Sequence, residues 1–509
     1  MARDSARIPL LIGGGQVTYR GAPARSPELS PVGFMAEAAR RAIVDAGLRP
    51  EHAALIDRIA AVRMTADNRP PGKHPFGTSN NVPRAVARRI GADPRTAIYG
   101  VIGGQSPQVF VNECAEALHA GVCEMALIVA GEATGLARAA ARAGMALDWS
   151  EEVDGDCDDR GPGDLRVHPA EALHGMVLPI HVYSLIEHAL RARLGRSREA
   201  HARAMAELFA GFSRVAAANP HAQFPAARSA DFLFTESAEN YRVTDPYLKW
   251  LVAQDAVSQG AAVLMTTEAR ADELGVPRSK RIYLHGYATV SDLPVIERAD
   301  IGASRPAALA ARAAFDMAGW QPEQIGPADI YSCFPCAVTA ACEAIGLAAD
   351  HGAQLTVTGG LPYFGGAGNG YSLFAIAEML ERLRAEFGVK GLIAANGGYL
   401  SKESIGLYSS ERPRTWAPQH IASLDTEVAQ GRVAVEMNPF GGAIEAYTVA
   451  YAKGASVRAL IIGRTEAGTR FAAASEGAET IAGLLDTDPL ARPVQVDAGE
   501  RANIFRLSA

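Results

Sequence analysis

The chain repeats itself, and the repeat limits what it can fold into. A helical stretch from Gly33 runs into Asp45-Ala46-Gly47-Leu48-Arg49-Pro50-Glu51 and then Ile56-Asp57-Arg58-Ile59. A second, from Pro306, runs into Asp316-Met317-Ala318-Gly319-Trp320-Gln321-Pro322-Glu323 and then Asp329-Ile330-Tyr331. Gly47 and Gly319 are 272 positions apart, and so are Pro50 and Pro322. In each copy the glycine suits a left-handed helix cap, and the proline bars the helix from resuming. A second pair follows. Gly103-Gly104 opens a turn, Ser106 to Ala120 reads as helix and Val122 to Val129 as strand. In the other half Gly365-Gly366, Ser372 to Glu386 and Val389 to Ala395 have the same order, with Gly121 and Gly388 267 positions apart. Two anchors at nearly one offset imply a duplicated α/β half.

Leu10 to Ile12, Ala126 to Val129, Ala261 to Met265 and Leu392 to Ala394 are near-continuous apolar runs. Such runs between helices predict parallel strands buried on both faces. Two such halves packed together make a five-layer α/β/α/β/α sandwich. The predicted division is 1–134 with 250–300 for the first half, 135–249 for an insertion, and 301–411 for the second half. The insertion opens on the acidic stretch Ser150 to Asp164. Asp154, Asp156 and Asp158 resemble a calcium loop, but Asp159 and Leu165 stand where a glycine and a glutamate are needed. A solvated loop is the better reading. Arg191 to Phe212 then reads as one amphipathic helix.

After Ser410 the texture changes. Arg412-Pro413-Arg414 and Trp416-Ala417-Pro418 read as linker. Short strand-like runs follow: Ile444 to Tyr451, Val457 to Gly463, Thr469 to Ala474, Val494 to Val496 and Asn503 to Leu507. These predict a separate all-β domain over 420–509, a small OB-like β-barrel.

Composition excludes several functions. The 49 basic and 56 acidic residues leave a net charge of −7, which offers nucleic acid no electrostatic attraction. No apolar run is long enough to span a bilayer, and Met1 to Ser5 carry no secretory h-region. Six cysteines in 509 residues are no disulfide framework, so a reduced cytoplasm is expected.

Val257-Ser258-Gln259-Gly260-Ala261-Ala262, Gly359-Gly360-Leu361-Pro362 and Asn396-Gly397-Gly398 resemble glycine-rich segments of the thiolase superfamily. With the duplicated halves and the extra C-terminal β-domain, the chain is most similar to type-1 thiolase-like proteins, which are described as acetyl-CoA acetyltransferase-like. That resemblance implies an acyl-CoA ligand, an acyltransferase type of site, a place in lipid metabolism and a possible homodimer. It implies no metal and no covalently bound cofactor.

Thiolase chemistry uses a cysteine thiolate, an activating histidine, a second cysteine and oxyanion pockets. Carried onto this sequence, the nucleophile position is Gly104, the histidine position Gly366 and the second cysteine position Ala395. Tyr331-Ser332-Cys333-Phe334 resembles the motif that supplies an oxyanion-hole residue, which places Tyr331 there. The polar groups left for the cleft are Gln105, Ser106, Tyr331, Ser332, Tyr363, Asn369, Tyr371, Asn396, Lys402 and Glu403. Of these, Tyr331, Ser106 and Asn396 are the candidates for chemistry. Gln105, Ser332, Tyr363, Asn369, Tyr371 and Lys402 are the candidates for substrate binding. Tyr331 is either a general acid or base or a packing residue at a strand end. Lys402 either meets a CoA phosphate or enolate, or pairs with Glu403. Cys333-Phe334-Pro335-Cys336 is a C-x-x-C pattern better read as structural than as a redox or metal pair. Three functions stay open: an acyl-CoA protein without covalent thiolase catalysis, a retro-aldol C–C lyase on a β-hydroxyacyl-CoA using Tyr331, and a non-catalytic CoA- or acyl-binding protein.

Overall fold

A computed structural model of the chain describes residues 7–68, 76–349, 352–418, 424–499 and 502–508. Met1 to Ser5 and the segment 419–423, at the expected start of the last domain, lie outside them.

The first half runs through β1 (Pro9–Thr18), α1 (Pro31–Asp45), β2 (Arg58–Ala61), α2 (Val82–Ile90), β3 (Thr96–Tyr99), α3 (Ser106–Ala120) and β4 (Met125–Glu132). The insertion carries the two-residue β5 (Asp158–Asp159) and the helices α4 (Pro179–Arg193) and α5 (Arg198–Ala218). Strand β6 (Gln259–Thr267) completes the half. The second half is β7 (Ile282–Ser291), α6 (Arg305–Ala318), β8 (Ala328–Ile330), α7 (Pro335–Ile345), α8 (Tyr371–Ala385), β9 (Lys390–Gly397) and β10 (Lys402–Ser409).

The strand order is β5-β3-β2-β4-β6-β1 in the first half and β7-β10-β9-β8 in the second. Setting aside β5, which lies in the insertion, this is one winding used twice, with no counterpart of β3 in the second half among the described residues. Among the described residues the two sheets are joined where Leu10 pairs with Tyr283 and Leu11 with Ile282. Helix α1 covers the outer face of β1, β4 and β6, and α6 that of β7 and β10, while α3 and α8 lie between the sheets and touch both. Those are the five layers. The halves also share a packing device. A Cβ on Gly13 would lie 2.9 Å from the Ala42 carbonyl carbon, and one on Gly286 would lie 3.0 Å from that of Ala314. Glycine in the first strand of each half lets the outer helix settle onto the sheet. Both helices then end at a left-handed glycine, Gly47 (φ +76°) and Gly319 (φ +66°).

Three expectations change. The sheets are mixed rather than parallel, because β6 runs antiparallel to β1 and β4, and β10 antiparallel to β7 and β9. Apolar runs report burial on both faces and carry no information about direction. Strand β7, expected in the first half, hydrogen-bonds along β10 of the second. The single helix expected over Arg191 to Phe212 is the end of α4 and most of α5. It is broken where Gly195 turns left-handed (φ +62°) and the Ser197 hydroxyl caps α5 by accepting from Ala200 N.

The acidic stretch is a solvated loop, exposed at Asp154, Asp156, Asp158 and Asp159, and it is pinned at two places. Glu151 pairs with Arg88 (2.8 Å) and Arg89 (3.1 Å). Asp158 and Asp159 add a parallel strand to the edge of β3, and Asp159 also meets Arg63.

The C-terminal region forms a closed barrel from β11 (Gly441–Ala452), β12 (Ala455–Arg464), β13 (Arg470–Ser475), β14 (Pro493–Ala498) and β15 (Asn503–Leu507), in the order β11-β12-β13-β15-β14. It has its own core, with Tyr447, Ile461, Phe471 and Phe505 fully buried. It is not all-β, since α9 (Ala478–Asp486) links β13 to β14 and buries Ile481 and Leu484. Its outer face packs on the core through Ala446, Leu460, Ile462, Ala472 and Ala474, and polar contacts add to this. Arg470, fully buried, pairs with Glu445 (2.6 Å) and donates to the Ile296 carbonyl (3.2 Å). Asn503 N donates to His174 Nε2 (2.8 Å). Among the described residues no helix is long and apolar enough to cross a membrane. Nor do three or more His, Cys, Asp or Glu side chains come together to hold a metal ion.

Candidate active site

The turn between β3 and α3 carries Gly103-Gly104 and is held by the other half of the molecule. Gly103 N donates to Asn369 Oδ1 (3.0 Å), whose Nδ2 donates to the Arg63 carbonyl (2.8 Å). The Ser372 hydroxyl donates to the Gly104 carbonyl (2.9 Å). The starts of α3 and α8 therefore face each other across the layer between the sheets. Gly103 has φ +142°, which a residue with a side chain rarely adopts. At Gly104 the limit is space. A Cβ there would lie 2.5 Å from Tyr331 Cζ and 2.5 Å from the Asn396 carbonyl oxygen.

Tyr331 follows β8 and is fixed by its backbone, which donates to the Ala394 carbonyl (3.0 Å), and by edge-on contact with the Tyr371 ring (5.4 Å, 88°). Its hydroxyl has no hydrogen-bond partner among the described residues. Burial pushes its pKa well above the ordinary phenol value, and a nearby Cys333 charge would push the same way. Asn396 closes the far side. Its Nδ2 donates to Tyr183 Oη (2.9 Å) and lies 3.8 Å from Cys333 Sγ, while its Oδ1 is buried without a partner. Tyr183 donates to the Gly398 carbonyl (3.1 Å) and accepts from Leu400 N (3.2 Å), which fixes which end of the Asn396 amide faces it. The Gln105 side chain folds against Gly103 and Gly397, and its buried Oε1 also lacks a partner.

The remaining expected residues divide. Lys402 joins the turn by donating to the Ile102 carbonyl (3.3 Å), and burial lowers its pKa. Glu403 does not pair with it, because neighbours on a strand point to opposite faces. Glu403 is buried on the α6 side, 3.5 Å from the Ser304 hydroxyl, and desolvation raises its pKa well above the usual carboxyl range. The Ser106 hydroxyl closes its own turn on the Val101 carbonyl (3.1 Å). Ser332 accepts from Leu361 N (3.2 Å), and Tyr363 donates to the Trp250 carbonyl (2.9 Å). Tyr371 meets Thr358 Oγ1 (2.6 Å) and Asp329 Oδ1 (3.0 Å). Each of those hydroxyls makes a hydrogen bond inside the protein. Gly366 donates to the Gln254 carbonyl (2.8 Å), and Ala395 is fully buried beside Ser404.

All six cysteines are free. Burial pushes the Cys333 thiol up to about 12. Cys336 donates its backbone N–H to Glu187 (2.7 Å) within a fully buried cluster. Two contributors carried no sequence signal. Tyr183, from the insertion, stacks on Phe334 (4.4 Å, 15°). Glu132 ends β4 beneath Gly368 and accepts from Thr65 N (2.6 Å) and Oγ1 (2.7 Å), with burial raising its pKa to about 7.

Residues 422–501 match the family model of the thiolase-like protein type 1 additional C-terminal domain. The whole chain is similar to the crystal structure of a monomeric SCP2-thiolase like protein type 1 from Mycobacterium smegmatis. The two are 37% identical, each is 99% covered, and the TM-score is 0.85. Two more distant structures share the fold over 80% of this chain and 99% of their own. One is an Ltp2-ChsH2(DUF35) aldolase (18% identity, TM-score 0.58). The other is human mitochondrial 3-ketoacyl-CoA thiolase in complex with CoA (14% identity, TM-score 0.55). Among curated proteins none matches the chain.

Proposed function

This chain belongs to the thiolase-like proteins of type 1, and from that premise we propose that it binds a CoA thioester without covalent thiolase chemistry. The observation that carries the reading is the Tyr331 ring lying where a side chain at Gly104 would have to go. Covalent thiolysis needs a thiolate with a partner that lowers its pKa. Neither Gly104 nor Gly366 supplies one, and Cys333, raised to about 12, stays a thiol at neutral pH.

Burial also holds Tyr331 as the phenol. It then serves as a hydrogen-bond donor to a thioester or enolate oxygen. The same burial weighs against Tyr331 as the base of a retro-aldol cleavage. The unpartnered carboxamide oxygens of Asn396 and Gln105 are assigned to donors on the ligand, and Lys402 to its charged end. The barrel, with its strand order and the helix between third and fourth strands, is read as OB-type. The proposed ligand class supports a role in acyl-CoA and lipid metabolism, and six free thiols suit a reducing cytoplasm. A homodimer is left without support, since the Mycobacterium smegmatis relative is described as monomeric and β5 covers the β3 edge.

Titration calorimetry with acetyl-CoA tests the reading. Wild type should bind, and Tyr331→Phe should bind about fivefold to tenfold more weakly, the loss of one hydrogen bond. Absence of acetyl-CoA binding in folded wild type would overturn it.

A further inference from the structure

The C-terminal domain takes hold of one segment of the core. Four consecutive carbonyls, from Ile296 to Ala299, accept hydrogen bonds from it. Val433 N donates to the Glu297 carbonyl (2.9 Å). The carbonyls of Ile296 (3.2 Å), Arg298 and Ala299 (3.5 Å) accept from the Arg470 guanidinium. Arg470 lies on β13, is fully buried and has its charge balanced by Glu445 (2.6 Å). A guanidinium carries five donors in a rigid fork, so one side chain can fix three carbonyls at once.

From that segment Arg298 reaches the candidate site. It is buried, pairs with Asp292 (3.3 Å) and donates to the carbonyls of Leu293 (3.1 Å) and Tyr399 (2.8 Å). Tyr399 lies in the turn 398–401 between β9 and β10. Asn396 and Lys402, both assigned above to the ligand, stand on either side of that turn. The turn is strained. Leu400 has φ +55°, which is costly for a residue with a side chain, and such a conformation persists only where its surroundings hold it. Tyr183 holds the turn at Gly398 and Leu400, and Asp292 N holds it at the Ser401 carbonyl (2.8 Å). Arg298 holds its middle, and the backbone of Arg298 is itself held by Arg470.

We propose that the C-terminal domain sets the ligand affinity of the Gly104 site, with Arg470 as a positioning residue that acts through Arg298 on the turn 398–401. The affinity part rests on the acetyl-CoA reading above. Arg470→Met removes the three contacts and leaves Glu445 paired with Arg464 (3.1 Å). Hydrogen exchange of the ligand-free chain, followed by mass spectrometry, should run about tenfold faster over 396–402 in this variant, with β4 keeping its wild-type rate. Acetyl-CoA should bind the variant about fivefold more weakly by calorimetry. In an Arg298→Met background the same change should cost no further affinity, because the relay is already cut. Wild-type exchange over 396–402 in folded Arg470→Met would overturn the proposal, and so would a rise spread evenly over the whole chain. Unchanged affinity in Arg470→Met, or an equal loss in both backgrounds, would overturn it too. Circular dichroism shows which variants fold, and the Arg470→Met arms suffice if Arg298→Met does not. Failure of wild type to bind acetyl-CoA would remove the ligand reading and the affinity claim with it, while exchange in the ligand-free chain would still decide whether Arg470 holds the turn.

Discussion

The ring of Tyr331 and the backbone of Gly104 exclude any side chain at position 104: a Cβ built there lies 2.5 Å from Tyr331 Cζ. The two residues come from different halves of the duplicated fold, so the absent side chain at position 104 and the ring that fills its place are one arrangement. Gly104→Ala should therefore destabilise the protein by about 1–3 kcal/mol, as overpacking does. In a Tyr331→Ala background the same change should cost at least about 1 kcal/mol less, the coupling expected of touching residues. Part of the cost remains because the Asn396 carbonyl still crowds the site. Urea denaturation of the four proteins measures this, and equal costs in both backgrounds would refute the contact.

Glu132 predicts a pH dependence. Its folded pKa is raised to about 7, chiefly by burial, from the ordinary glutamate value of 4.5. The folded state therefore holds a proton that the unfolded state releases between those values. Its contribution is fully present below pH 4.5 and is lost as pH rises through 7, on the order of 3 kcal/mol in all. Glu132→Gln keeps an acceptor for Thr65 and removes the titration. Stability measured from pH 5 to 8 should fall less steeply in the variant, and parallel curves would contradict the assignment.

The strap over β3 makes a third prediction. An uncovered edge strand is a template for pairing with another chain, and β5 occupies that edge through Ile98–Asp158 and Tyr99–Asp159. Replacing 154–162 by a short Gly/Ser linker should cause self-association, detected by light scattering after size exclusion. A folded variant as monomeric as wild type would show that the strap does not control association.

Cys333 and Cys336 should resist alkylation in the native state, because both are buried and burial raises both thiol pKa values. Iodoacetamide at pH 8 followed by peptide mapping should label neither until denaturant is added. Rapid native labelling of Cys333 would mean an accessible thiolate.

The duplication was legible from Gly47, Gly319 and their prolines, because helix ends demand particular residues whatever surrounds them. The barrel strands were legible from their punctuation. Strand direction was not, since β6 and β10 have the same apolar texture whichever way they run. At the site, Gly104 and Tyr331 could each be named from a motif. That the two touch could not, because they are 227 positions apart. Ser332, Tyr363 and Tyr371 look like cleft residues as letters, yet each hydroxyl is taken by a nearby backbone or buried side chain. Tyr183 and Glu132 had no motif around them, and only packing against Phe334 and Thr65 gives them a place.

Intact-mass spectrometry after incubation with acetyl-CoA tests the central claim most directly. The chain should keep its unmodified mass at every time point, in a sample that calorimetry shows to be binding acetyl-CoA. An acetyl adduct mapped to Cys333 would contradict it and restore covalent catalysis to this fold.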